Sequence, residues 1–115
     1  MKTLKQIEEI VKNINFCNWI FYIGSKNDVP YLQVQFIAAN NDTGIVELQK
    51  CRKWQLSYYM TTSEIIRTAF KAVLAAVEHE AAENFLYKNV RIFNPHVDVE
   101  ALVEIAQSDK IDVRT

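Results

Sequence analysis

Glycine is nearly absent: of 115 residues only Gly24 and Gly44 are glycine. A loop that wraps a phosphate with backbone amides needs closely spaced glycines, because other residues resist positive φ and block close approach. The chain therefore carries no phosphate loop of the nucleotide-binding kinds. Cysteine is equally scarce. Cys17 and Cys51 stand far apart, with no C-x-x-C spacing and no histidine beside them, and are expected as two reduced, buried thiols of an intracellular protein. No sign of charge dominates, since 13 basic residues meet 14 acidic ones for a net charge of −1. No global field draws the chain to nucleic acid or to an anionic membrane. Long apolar runs are missing too, so nothing spans a bilayer, which takes about 18 or more such residues. Glu8 and Glu9 fall where a secretory signal would need its apolar stretch. A cytoplasmic location, with no membrane partner, is the expectation.

What remains is an ordinary globular composition, 50% hydrophobic and 23% charged. At this length one domain, 1–115, can bury about two-thirds of its unfolded surface, with a loosely held tail from about 108. Leu4, Ile7, Ile10, Val11 and Ile14 recur at helical spacing among lysines and glutamates, predicting a helix over 3–13 capped by Thr3. The run Trp19-Ile20-Phe21-Tyr22-Ile23 reads as a strand that stops at 24–28. Pro30 opens a second strand, 31–38, in which Leu32, Val34 and Phe36 alternate with Gln33 and Gln35. Asn40 to Gly44 predicts a hairpin loop longer than the tightest kind. The third strand, 45–58, has a conflict: Lys50 and Arg52 occupy the parity of Val46, Leu48, Trp54 and Leu56. A β-bulge near Cys51 resolves it.

The most secure signal is Met60-Thr61-Thr62-Ser63-Glu64-Ile65. Thr61 and Glu64 have capping-box spacing, and Met60 and Ile65 can close over the cap. With no Pro or Gly as far as Tyr87, a helix of about seven turns follows. Its sheet-facing stripe is expected to be Ile66, Ala69, Phe70, Val73 and Val77. Glu80 and Asn84 continue that stripe, so either the helix has left the sheet there or these groups are buried with partners. A short extended segment at 90–93 and a last helix over 99–107 complete the chain. The fold class is α+β: an α-β-β-β-α core, with a three-stranded antiparallel sheet packed on the long helix.

Three groups of residues carry chemical interest. Lys50, Arg52, Lys53 and Trp54 interleave cations with an aromatic, as single-stranded nucleic acid requires, and Gln33, Gln35 and Gln49 are expected to add polar contacts on an exposed face. An edge strand guarded by basic residues explains the same pattern without a ligand. His79, Glu80 and Glu83, joined by His96 and Asp98 if the chain folds back, would make a mixed nitrogen and oxygen site for a divalent metal. A solvated helix end is the plainer account, and no cofactor is expected. Phe85, Leu86 and Tyr87 offer an apolar helix end suited to a homodimer. No G-x-S-x-G elbow occurs. Glu47-Leu48-Gln49 lacks the lysine of a restriction-type nuclease, so an enzyme is not indicated.

The α-β-β-β-α order resembles that of double-stranded-RNA-binding domains. Those domains start the second helix with lysines, where this chain has Thr62-Ser63-Glu64. A closer resemblance lies in the run Trp54-Gln55-Leu56-Ser57-Tyr58-Tyr59-Met60-Thr61-Thr62-Ser63-Glu64 and the later Ile92-Phe93-Asn94-Pro95-His96-Val97-Asp98-Val99. Together with Glu78-His79-Glu80, these are similar to small phage- and prophage-encoded proteins. The resemblance implies a mobile-element origin and a bacterial host cytoplasm, with no reaction attached. The expected function is that of an accessory protein acting by binding or assembly, with nucleic-acid binding and metal-dependent hydrolysis as alternatives.

Overall fold

Local capping signals set where the helices begin. In the computed structural model, which describes residues 1–14 and 19–92, helix α1 spans Leu4–Lys12. The Thr3 hydroxyl accepts from the Gln6 amide at 3.2 Å, and Gln6 Oε1 accepts from the Thr3 amide at 2.8 Å. Two backbone donors that the first turn leaves open are thus satisfied reciprocally. The amphipathic spacing puts Ile7 and Val11 in the core, with Leu4, Ile10 and Ile14 packed at its rim.

Three strands follow as an antiparallel meander: β1 (Ile20–Lys26), β2 (Val29–Asn40) and β3 (Val46–Gln55). The first turn is tighter than the sequence suggests. Gly24 does not end β1 but pairs with Tyr31 inside it, and only Asn27 and Asp28 make the turn, with φ of 53° and 61°. Two successive left-handed residues match the twist of a two-residue hairpin, and Asn and Asp tolerate them. Gly24 is needed for another reason: a Cβ there would lie 2.6 Å from the Tyr31 hydroxyl oxygen. The second loop is the longer one expected. Asn40 Oδ1 accepts from the Asp42 and Thr43 amides at 2.8 and 3.1 Å, and Gly44 takes φ 73°.

The expected bulge is present. Gln33 pairs with Lys53 and Gln35 with Lys50, so Cys51 and Arg52 together face Val34. A fourth strand, β4 (Val90–Ile92), pairs with the end of β2 at Ala38 to Asn40. The α+β architecture is as expected, and the short extended segment expected at 90–93 is seen over Val90–Ile92 as a fourth strand added to the three of the meander.

From Thr62 to Tyr87 the chain is continuously helical in three stretches. These are α2 (Thr62–Ala75), a π-helical turn (Ala76–Ala81) and α3 (Ala82–Tyr87). The capping box forms at its start: Thr61 Oγ1 accepts from the Glu64 amide and Glu64 Oε1 accepts from the Thr61 amide, both at 3.2 Å. The buried line is not the expected one. Ile65, Ala69, Ala72, Val73 and Ala76 face inward, while Ile66, Phe70 and Val77 are only half-buried at the sides. Alanines on the central line let the helix axis approach β2 closely, and the bulkier side chains wedge beside it. The core lies between this line, α1 and one sheet face carrying Ile23, Leu32, Val34 and Phe36. Trp19 meets Phe36 edge-on at 5.4 Å. The last helix predicted over 99–107, the tail from 108, and Cys17 lie outside the described residues.

Candidate nucleic-acid interface

Strand parity divides the sheet into an inner face, against the helices, and an outer face. Lys50 and Lys53 are three residues apart, so a regular strand would point them to opposite faces. The bulge inserts one residue between them and puts both outward. On the outer face they join Tyr22 and Lys26 from β1 and Tyr31 from β2, which the register places on the same side. Among the described residues, no Asp or Glu occupies an outer-face position of β1, β2 or β3. The outer strand positions thus carry three lysines and no acid in a chain whose net charge is −1.

The aromatic and basic groups touch. The rings of Tyr22 and Tyr31 lie 6.1 Å apart at 46°, and Lys53 Nζ sits 4.7 Å from the centre of the Tyr31 ring. Burial, and secondarily the Tyr22 hydroxyl beside it, raise the Tyr31 phenol above its ordinary value. Toward the β2–β3 loop the same face turns apolar, with Ile20, Ile37, Leu48 and Val46 each at least 40% exposed. Gln33 and Gln35 do not extend into solvent as expected. Both are buried, in a hydrogen-bonded chain: Gln35 Nε2 donates to Gln33 Oε1 at 3.2 Å, and Gln33 Nε2 donates to the Cys51 carbonyl at 2.7 Å. Buried amides need such partners, and the bulged carbonyl supplies one. Gln49 has the opposite parity to Leu48 and Lys50 and hydrogen-bonds Glu47 at 3.2 Å.

The basic and aromatic quartet of the sequence is thus divided. Lys50 and Lys53 share the outer face. Arg52 and Trp54 share the inner side, the guanidinium 4.3 Å from the ring centre, with Trp54 half-buried against the core. Behind the bulge stands Glu80. Its Oε1 accepts from the Arg52 amide at 3.1 Å. Burial, with the Glu80 carboxylate accepting its hydrogen bond, pushes the Cys51 thiol far up from its ordinary value. Asn84, also buried, donates to the Glu80 carbonyl at 2.8 Å. Of the stripe's polar continuation, Asn84 is therefore buried and Glu80 half-buried, each with a partner. Glu80 belongs to the π-helical turn, whose wider winding changes the phase of the helix relative to the strands.

The other expected groupings are not assembled by the described residues. His79 is exposed, Glu83 is exposed 3.9 Å from Lys88 Nζ, and Glu80 is engaged by β3. His96 and Asp98 lie outside the described residues, as do the side chains of Phe85, Leu86 and Tyr87. Among the described residues no three of His, Cys, Asp or Glu gather as metal ligands, and no helix is long and apolar enough to cross a membrane. Sequence reasoning missed Tyr22, Lys26 and Tyr31. Their alternation is visible in the text, but their meeting depends on a hairpin register that a two-residue turn at Asn27 and Asp28 sets. Comparison with protein-family models, with curated proteins and with solved structures returns no match.

Proposed function

We propose that the outer sheet face binds single-stranded nucleic acid, as the working surface of a phage- or prophage-derived accessory protein. The observation that carries this reading is the company kept there: Tyr22 and Tyr31 beside Lys26, Lys50 and Lys53, with no carboxylate at an outer strand position among the described residues. Bases stack on aromatic rings and phosphates follow ammonium groups, and a flat sheet offers both only to bases already free of a duplex. Arg52 and Trp54 take no part. Fluorescence anisotropy with single-stranded and duplex oligonucleotides at low salt tests the reading. Single strands bind more tightly than duplex, and Lys50→Gln with Lys53→Gln weakens them. No binding at low salt, where such contacts are strongest, sinks it.

The apolar end of the same face supports a second reading, homodimerisation through Ile20, Ile37, Val46 and Leu48. Sedimentation over a concentration series decides it. A strict monomer at high concentration removes the dimer, while a dimer broken by Leu48→Lys supports it.

A further inference from the structure

The outer face has a distinct end beside the β1–β2 turn. There Lys26, Asn27, Tyr31, Lys53 and Gln55, with Val29 and Pro30, line a hollow of about 330 Å³. That volume falls at the lower end of the range for small-ligand sites, roughly 300–1,000 Å³. The hollow's lining thus includes two lysines, two residues with carboxamide side chains and Tyr31, with Lys53 Nζ 4.7 Å from the centre of the Tyr31 ring. It also lies at the end of the basic line running from Lys50 through Lys53 to Lys26. Just past it, in the turn, is the exposed carboxylate of Asp28. A polynucleotide continuing beyond the hollow would bring its next phosphate toward that carboxylate, whereas one that ends there would not.

We propose that this hollow receives a terminal phosphate monoester of a single strand, an inference that rests on the reading of the face as a nucleic-acid interface. An internal phosphodiester carries a single charge. A terminal monoester carries about −1.5 to −2 at neutral pH, with three acceptor oxygens. Lys26 and Lys53 together match that charge, and Gln55 and Asn27 can donate to the third oxygen. Tyr31 then presents its ring to the terminal base or sugar while Lys53, already against the ring, meets the phosphate.

The test compares short oligothymidylates bearing a 5′-phosphate, a 3′-phosphate or hydroxyls at both ends, titrated by anisotropy into the full chain and into Lys26→Gln. A parallel NMR titration uses thymidine monophosphate. The expected result is a preference of about tenfold for one phosphorylated end. That preference is lost in Lys26→Gln, on which all three strands bind with similar affinity, somewhat below that of the hydroxyl-ended strand on the unaltered chain. Thymidine monophosphate shifts the Lys26, Lys53 and Gln55 amides. Equal affinity for all three ends overturns the proposal and leaves the single-strand reading standing. Shifts from the mononucleotide without any oligonucleotide binding keep the phosphate site and overturn the wider interface. Silence in both titrations overturns both.

Discussion

Cys51 shows how one side chain ties stability to pH. Its thiol is buried against the Glu80 carboxylate, so the folded protein keeps it protonated well above the ordinary value of 9.0. A group whose proton is held more tightly in the folded state stabilises the fold fully below the unfolded value and loses that contribution as pH rises past it. Stability measured by urea is therefore expected to be level from neutral pH to about 9 and to fall above it. A second decline follows above 10.0 as Tyr31 joins, its own value being raised by burial and by Tyr22. Cys51→Ala removes the first decline and leaves the second, and native Cys51 resists alkylation at neutral pH. Gly24 gives a steric prediction. Gly24→Ala sets a methyl against the Tyr31 ring, which must swing from Tyr22 and Lys53. Because only the outer ends of the Tyr31 and Tyr22 rings must move, a loss of no more than about 1 kcal/mol in chemical denaturation is expected, with Tyr31 titrating closer to its ordinary value. Thr3 and Thr61 could be read as caps because a cap is decided within four residues. Tyr22 and Tyr31 could not be read as neighbours, because their meeting is decided across two strands.

Among the elements, β3 and the long helix each depart from regularity, and they do so opposite one another. The bulge frees the Arg52 amide from the ladder, and the π-helical turn delivers the Glu80 carboxylate to it. Glu80→Ala removes the protein acceptor of that exposed amide and of the Cys51 thiol and is expected to cost about 0.5–1.5 kcal/mol. Glu80→Gln keeps an oxygen in place and costs less. Hydrogen exchange at the Arg52 amide, faster in Glu80→Ala than in Glu80→Gln, separates this contact from a general loss of stability. The limits of the long helix were legible because Thr61 and Glu64 announce one end and nothing interrupts it before Tyr87. The side it turns inward was not. Hydrophobicity alone favours Ile66, Phe70 and Val77, whereas a helix lying close on a sheet needs alanine where the backbones are nearest. The bulge was legible as a clash of parity, since Lys50 and Arg52 broke an alternation that Trp54 and Leu56 resumed.

For the molecule as a whole, a balanced charge total conceals an uneven distribution. The sequence does not disclose it, because Lys26, Lys50 and Lys53 come from separate strands and are gathered only by the hairpins and the bulge. If the outer face follows a phosphate chain, Lys50→Gln with Lys53→Gln lowers the slope of log affinity against log salt by about 1.4, at about 0.7 per phosphate contact on a single strand. Arg52→Gln, on the other side of the sheet, leaves affinity and slope nearly unchanged. Both are read from anisotropy titrations at several salt concentrations. The single surplus residue in β3 also makes the protein unequally tolerant of insertions and deletions. One codon more or less in the exposed 41–45 connection alters only the length of a bridge. The same change between Lys50 and Lys53 turns half of that strand inside out, sending an ammonium group toward the core and an apolar side chain into water.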